Sequence, residues 1–554
     1  MSISSSITFV TAYFKSGTKE KIQTDFEQFR KIADSGIQLC VYVEEAVDTL
    51  NTFPNIKIMK PFDSHTKKLF SEIEFSDYSN NDYFVFSNSK YEFMENVILE
   101  NPWNSSHFSW IDFTIFSIFK KPTESKEYLK CLSKRTLFSD FFAIGGWIKN
   151  KNELYDLDLQ FKEIRWRFLD KFFIGDKKSV MEWVALSKQY LPRFLRTYKK
   201  ITSEVNFWNW LETVVDWQPV WFFSIFDDSV IQLPLHLHSM NLKNAKKTVY
   251  NYPLIEGPSP FFESSASHLL FQGQHLLNTR FVSYFLLNAG QYYMPHPKQF
   301  LITKNQAAIL DEDTMLPINY ELMDDSTILL ENAPYPPGEC CNIFGLEDIR
   351  LYEFENKIRF IATNRNFAPA YKNRMVIGDY NMKNQSYDNC LLIESPCNST
   401  YEKNWIPITY KNQECFIYNW YPMDICRVNL ETQKLELVCR HENTMNVPYF
   451  HKVRGSSIFI NVSNGTLGEL VGVVHFSEDT KPRQYYHMLV SLEKDTFKPL
   501  RYSETFYFQH IGVEFCTGFW KNKDEYIFWV SKKDRNTCMI TVNVDEIPLC
   551  FEFF

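Results

Sequence analysis

The chain has 554 residues, more than one hydrophobic core usually serves, so a division into two domains is expected. Hydrophobic residues make up 45% and charged residues 23%, ordinary globular usage that excludes a disordered chain. A formal net charge of −8 leaves no basic footprint for nucleic acid, which needs clustered Lys and Arg to displace counterions.

Residues 7–14 form an apolar, β-rich run, after which Ile22, Phe26, Phe29 and Ile32 fall on one helical face, a βα unit. Ser35-Gly36 stops that helix, and strands are predicted over 37–43, 56–59, 82–86 and 109–113. A helix is expected from Lys90 to Leu99, ended by Asn101-Pro102, and residues 162–198 read as amphipathic helix. Alternating strands and helices favour a mostly parallel sheet whose ligands sit beyond the carboxyl ends of the strands. Periodicity is lost over 228–257, where Pro234, Pro253 and Pro258 cluster, so the first domain is placed at 1–235 and a linker at 236–256.

From residue 257 to 554 short aromatic and β-branched runs alternate with Gly, Asn, Asp and Pro turns. Five openings recur: Gly257-Pro-Ser, Gly345-Leu-Glu-Asp, Glu402-Lys-Asn-Trp, Arg454-Gly-Ser and Gly512-Val-Glu-Phe. Beyond the longer first interval their spacing of roughly 50 to 60 residues suits four-stranded blades, so a five-bladed β-propeller is expected, with a β-sandwich as the alternative.

The polar residues 1–6 precede only a short apolar run, and no segment approaches the ~18 apolar residues of a membrane helix, so no span and a cytoplasmic location are expected. None of the 12 Cys is spaced Cys-x-x-Cys, and free thiols are the reading. Asn104, Asn398 and Asn464 open glycosylation triplets, read as chance matches. His236 and His238 alternate as on a strand but lack a third metal ligand, so exposed linker imidazoles are expected. Fifty Phe and thirty Tyr serve thick cores or sugar-stacking platforms.

Asp112 stands at the end of an apolar strand, where a carboxylate can hold a divalent cation against a diphosphate. Capping of the following turn is the competing role, and Asp176, after Ile174-Gly175, reads as a helix N-cap. The order Val10-Thr-Ala-Tyr13, Ser89-Lys90, Asn101-Pro102, Trp110-Ile-Asp112 and Ile144-Gly-Gly146 resembles the HtrL/YibB-type family over residues 7–198. That resemblance implies a GT-A, Rossmann-like glycosyltransferase domain with a sugar nucleotide near Thr11, Ala12, Lys90 and Asp112. Gly145 and Gly146 would let substrate approach the backbone. Such transferases carry Asp-x-Asp, whereas this chain has Asp112-Phe-Thr114, which weakens the Mn2+ or Mg2+ site expected on Asp112.

Gly345-Leu-Glu-Asp-Ile-Arg350 sets two acids and a guanidinium at the mouth of an alternating hairpin. Glycoside chemistry needs a general acid, and Asp348 is the candidate; a structural Asp–Arg pair is the alternative. With residues 278–284, 402–407, Arg454-Gly455, 473–475, 485–487 and 513–515, and with Ser531 to Asp534 fitting the closing blade, the motif resembles glycoside hydrolase family 130 and the β-1,2-mannosyltransferases of glycosyltransferase family 108. Both are built on five-bladed propellers. The resemblance implies Asp348 as acid, Glu514 as a further catalytic carboxylate, and Arg280, Glu347, Lys403, Asn404, Arg454, His475 and Tyr485 around a central pocket. Arg350, Arg454 and His475 are the implied phosphate holders, and Ile349 replaces the usual Pro.

A glycosyltransferase is therefore expected, using GDP-mannose or a similar donor and a glycan acceptor to build a surface or structural polysaccharide. Three readings stand: a bifunctional enzyme, one catalytic domain joined to a glycan-binding module or scaffold, or a catalytically inactive scaffold within a polysaccharide-assembly complex. Transfer and phosphorolysis both remain open at the propeller, which is expected to need no cofactor.

Overall fold

The computed structural model describes all residues except 1–6, 44–52, 77–80, 139, 151–153, 155–160, 288–289, 331–341, 369–371, 398, 443–449, 463–467, 479–482 and 554. Asn398, Asn464, Cys340 and Cys341 therefore lie outside the described residues. The chain divides into two compact units, one of them Met1–His238 and the other holding Ser239–Met445 and Tyr449–Phe554.

Unit 1 is α/β. In chain order it runs β1 (Ile7–Ala12), α1 (Lys19–Ala33), β2 (Leu39–Tyr42), β3 (Ile56–Ile58), α2 (His65–Glu72), α3 (Asn81–Asn88), α4 (Lys90–Glu100) and β4 (His107–Ile111). It continues with α5 (Pro122–Lys134), β5 (Phe142–Gly146), β6 (Phe172–Asp176), α6 (Lys177–Tyr198), α7 (Glu204–Val214) and β7 (Val220–Phe223). The strands form one sheet in the order β3-β2-β1-β4-β6-β5-β7, in which β6 runs antiparallel to both neighbours and the other pairs are parallel. Both faces are covered. Ile7, Phe9, Leu39 and Val41 enter one core, while Val10, Ala12, Cys40 and Tyr42 enter the other, which is why these strands read as unbroken apolar runs.

Two sequence expectations fail here. Residues 82–86, read as a strand, belong to α3, whose end is tied by Asn88 Nδ2 and Ser89 Oγ donating to the Phe84 and Val85 carbonyls. Residues 172–176, read as helix, are β6, and the helix begins only after the Asp176 cap, whose carboxylate accepts the N–H groups of Lys178 and Ser179. An apolar run of four or five residues fits a buried strand and a buried helix turn equally.

Among the described residues unit 2 is built of strands, with short 3-10 turns and no α-helix. Its strands are β8 (Met240–Asn241), β9 (Lys246–Thr248), β10 (Phe262–Phe271), β11 (Gln274–Val282), β12 (Phe285–Leu286), β13 (Tyr292–Tyr293), β14 (Leu301–Leu310), β15 (Glu321–Leu322) and β16 (Ile343–Phe344). Then come β17 (Glu347–Phe354), β18 (Lys357–Asn364), β19 (Arg374–Asn381), β20 (Ser386–Ile393), β21 (Ile406–Tyr410), β22 (Gln413–Trp420), β23 (Met423–Asn429) and β24 (Lys434–His441). The series ends with β25 (Arg454–Gly455), β26 (Ile460–Asn461), β27 (Glu469–Glu478), β28 (Gln484–Glu493), β29 (Pro499–Tyr502), β30 (Phe506–Tyr507), β31 (Glu514–Asn522), β32 (Glu525–Lys532), β33 (Arg535–Asn543) and a short last strand.

These strands build successive antiparallel sheets in a propeller-like arrangement: β10-β11-β14-β15, β17 to β20, β21 to β24, a sheet centred on β27-β28-β29, and β31-β32-β33-β9. Apolar side chains fill the spaces between sheets, as Trp405, Phe416 and Cys426 do against Ile361 and Ile377. The stretch read as a linker contributes structure. β9 completes the sheet of β33, and β8 pairs with β30, so an early segment is laced into late sheets. His238, expected to be exposed on a strand, is buried after a 3-10 turn, and burial pushes its imidazole down to about 3.

Candidate functional site

Unit 2 holds a cavity of about 510 Å³ lined by side chains from four of these sheets and by Lys403 and Asn404 just ahead of β21, within the size range of small-ligand sites. Two of its carboxylates come from consecutive residues. Side chains on a regular strand alternate between faces, but the register of β17 on β18 slips between Glu347 and Arg350. Asp348 there takes φ 51, and both carboxylates line the cavity.

Arg280, on β11, gathers the pair. Its Nη1 donates to Asp348 Oδ1 at 2.8 Å and its Nη2 to Glu347 Oε2 at 3.1 Å, while Ser265 Oγ donates to Asp348 Oδ1 at 2.8 Å. Burial alone would raise the Asp348 carboxyl, yet Arg280, Arg350, Ser265 and Lys403 together hold it below the usual carboxylate value. Asp348 is thus a clamped group, bonded to Arg280 and Ser265.

Asp534, in the turn between β32 and β33, is the third carboxylate of this cavity. It has no ion pair or hydrogen bond among the described residues. Burial, with Asp348 and Glu347 adding repulsion against the pull of Arg280 and Lys403, pushes its carboxyl up to about 6.

The cavity also takes Lys403, Lys452, Arg454 and Arg483. Burial and the nearby charges of Arg454 and Arg483 lower the Lys403 ammonium, although Asp348 and Glu347 pull the other way, so these cations lie within electrostatic reach of one another. Burial keeps His475 neutral, aided by His487, Arg350 and Arg454. Its ring stacks on Tyr485 with centroids 5.9 Å apart, and its Nδ1 has no partner among the described residues.

In unit 1 a second cavity, of about 350 Å³, lies at the carboxyl ends of β1, β2 and β3. It is largely aromatic: Tyr13, Phe14, Tyr42, Phe62, Phe86 and Phe93 line it, with Lys67 and Asp82 among its few charged residues. Deeper in the unit, Lys90 Nζ is buried between carboxylates, 3.1 Å from Asp170 Oδ2 and 2.6 Å from Glu204 Oε1, and lies over the Trp110 and Trp208 rings. Burial opposes its charge, but Asp170 and Glu204 raise its pKa overall.

Asp112 is likewise satisfied from within. Lys171 Nζ donates to its Oδ2 at 2.9 Å, and the N–H and Oγ1 of Thr114 donate to its Oδ1. No group of three His, Cys, Asp or Glu that could hold a metal occurs among the described residues. The donors around Asp112 therefore do not fit Mn2+ or Mg2+, because an ammonium already occupies the carboxylate.

No family model matches the chain, and no curated protein matches it. Solved structures do align with it. β-1,2-Mannobiose phosphorylase from Listeria innocua is 12% identical over 53% of this chain and 93% of its own, with a TM-score of 0.34. A GH130 enzyme targeting β-1,2 mannosidic linkages in Candida mannan is 11% identical over 55% and 92%, with a TM-score of 0.35. MPT-1, a GDP-Man-dependent mannosyltransferase from Leishmania mexicana, is 9% identical over 54% and 90%, with a TM-score of 0.34.

The expected residues separate into two sets. Arg280, Glu347, Asp348, Lys403, Asn404, Arg454, His475 and Tyr485 all line the unit 2 cavity. Arg350 and Glu514 do not. Arg350 is buried and donates to three neutral oxygens, those of Ser456, Asp348 and the Asn404 side chain, so it ties β17 to neighbouring segments rather than facing a phosphate. Glu514 alternates with Val513 and Phe515, which face the cavity, and its carboxylate instead accepts the N–H groups of Phe508, Gln509 and His510.

In unit 1 only Ala12 lines the aromatic cavity, and Thr11 is buried beside it in β1. Gly145 and Gly146 serve packing rather than a ligand: a Cβ at Gly146 would lie 1.9 Å from the Arg167 carbonyl oxygen, and one at Gly145 2.5 Å from Ser224 Oγ. Sequence reasoning did not single out Asp534, Lys452 or Arg483 as site residues. The available signal for Asp534 was an acid in a two-residue hairpin turn, at the position where Asn or Gly is usual.

Proposed function

We propose that this chain is a carbohydrate-active enzyme that moves a mannosyl residue between a phosphorylated sugar and a sugar hydroxyl, with the chemistry in the unit 2 cavity. The observation that carries the reading is the division of charge there: Glu347 and Asp348 are clamped by Arg280, while Lys403, Lys452 and Arg454 have no ion pair among the described residues. Hydroxyl-rich rings are held by carboxylates and amides in fixed geometry, and a phosphoryl oxygen by clustered cations. The mannosyl class comes from the resemblance of the Glu347-Asp348-Ile-Arg350 segment. The five-bladed reading is supported by five antiparallel sheets following one another along unit 2.

The single-activity reading is favoured over the bifunctional one. The GT-A reading of unit 1 rests on the resemblance of residues 7–198, and Lys90 and Asp112 are bonded to other protein groups. An aromatic cavity at the strand ends suits a flat ring such as a nucleobase or sugar face, so unit 1 is assigned a binding role.

The test is turnover by the full chain in two arms: GDP-mannose with mannose or mannobiose, following GDP release, and β-1,2-mannobiose with inorganic phosphate, following mannose 1-phosphate. Release in either arm, abolished in Asp348→Asn, is expected. No release in both arms, with no rise in melting temperature from GDP-mannose or mannose 1-phosphate, would overturn the reading.

A further inference from the structure

Three carboxylates face the unit 2 cavity, and their surroundings differ. Glu347 and Asp348 are both bonded to Arg280. Asp534 is bonded to nothing among the described residues, yet it lies near enough to these groups to feel their charges. Around it stand Arg280 from β11, Glu347 and Asp348 from β17, Lys403 ahead of β21, and the phenols of Tyr284, Tyr292 and Tyr485. A carboxylate packed among two others of like charge, and left out of their ion pair, is the one suited to hold a proton.

The backbone supplies an independent pointer. Lys533 and Asp534 form a two-residue hairpin turn with φ 53 and 58. Equivalent turns at Gln272-Gly273, Glu355-Asn356 and Lys411-Asn412 put Gly or Asn at the second position, as this turn type prefers. Asp534, a residue that also tolerates this conformation, places a carboxylate at the one turn of the four whose second residue lines the cavity.

We propose that Asp534 carries the proton of the acceptor hydroxyl. In transfer, the acceptor oxygen forms its bond to the anomeric carbon while its proton passes to the Asp534 carboxylate. The bond from the anomeric carbon to the phosphoryl oxygen breaks, with its electron pair leaving on the phosphate held among the cations. In the reverse direction Asp534 gives that proton to the bridging glycosidic oxygen as the bond to it breaks, and an oxygen of hydrogen phosphate attacks the anomeric carbon. Either direction balances with no further reactant. A carboxyl titrating near 6 supplies both forms at neutral pH. This inference rests on the function proposed above and replaces Asp348 as the proton-handling group.

Asp534→Asn and Asp534→Gly are the test variants, since Asn356, Asn412 and Gly273 occupy the same turn position in this chain. Both should lower kcat by about a hundredfold or more while leaving the melting-temperature rise produced by mannose 1-phosphate unchanged. In the GDP-mannose arm the wild-type rate should fall below pH near 6, and in the phosphate arm above it; each limb should vanish in Asp534→Asn. Infrared pH-difference spectra of wild type against Asp534→Asn should show one carboxyl titrating near pH 6 that the variant lacks. Full kcat in the variants, a persisting limb, or no such carboxyl overturns the proposal. Absence of turnover in wild type would instead sink the function, and the infrared titration would still decide the proton.

Discussion

Replacing Arg280 by Met removes the cation that gathers Asp348 and Glu347 while keeping an unbranched apolar stem. The arginine side chain is 6% exposed and its partners 22% and 17%, so water screens little of the cluster. Removing one partner of such a buried pair costs about 3–5 kcal/mol, because the charges left behind are uncompensated. For a unit of this size about 2 °C of melting temperature follows each kcal/mol, which gives a drop of about 6–10 °C at neutral pH. Asp348 sets the pH dependence. Burial pushes it up, but Arg280 and its neighbours bring it below the ordinary value. A carboxylate depressed in the folded state contributes stability above its unfolded pKa, and loses it as pH falls through the folded value. The variant forgoes that contribution, so the gap between the two proteins should narrow as pH approaches about 4. Calorimetry of the full chain, following the unit 2 transition at both pH values, reads the effect. A gap under about 2 °C at neutral pH, or one that widens on acidification, refutes the clamp.

Other substitutions probe the rest of the account. Glu514→Gln should cost about 1–3 kcal/mol, since three backbone N–H groups lose their charged acceptor, yet leave kcat unchanged; a lost kcat with stability intact would restore it to the site. Gly146→Ala should destabilise unit 1 by about 3 kcal/mol, read by circular dichroism, because the new Cβ meets the Arg167 carbonyl. Lys403→Gln should raise KM for the phosphorylated substrate about tenfold with little change in kcat, as loss of one charge-assisted contact predicts. Asp112→Asn should lower stability through loss of the Lys171 pair, and added Mn2+ or Mg2+ should leave the melting temperature of wild type unmoved.

Much of the architecture was written in local pattern. The run from Ile7 to Ala12 announced a strand buried on both faces, and Phe29 and Ile32 of α1 are buried as their spacing implied. The five recurring openings each fall close to the first strand of a unit 2 sheet. Where periodicity was silent, reading failed: Tyr83 to Phe86 and Phe172 to Ile174 are short apolar runs that only their packing partners resolve into helix and strand. The site followed the same division. Glu347, Asp348 and Arg280 were legible as motif residues, and their mutual clamp could not be, because it depends on a bulge and on pairing between distant strands. Glu514 was misplaced although strand alternation with Val513 and Phe515 predicted that it would face away from them. Asp534, in the hairpin between β32 and β33, meets residues of β11 and β17 only in the folded cavity, far from them in sequence.

The most direct measurement is a crystal structure of the full chain with mannose 1-phosphate. The phosphate is expected among Lys403, Arg454 and Arg483, with the sugar facing Asp348 and Asp534. Ligand bound only in the aromatic cavity of unit 1, or a phosphate that none of those cations contacts, would contradict it.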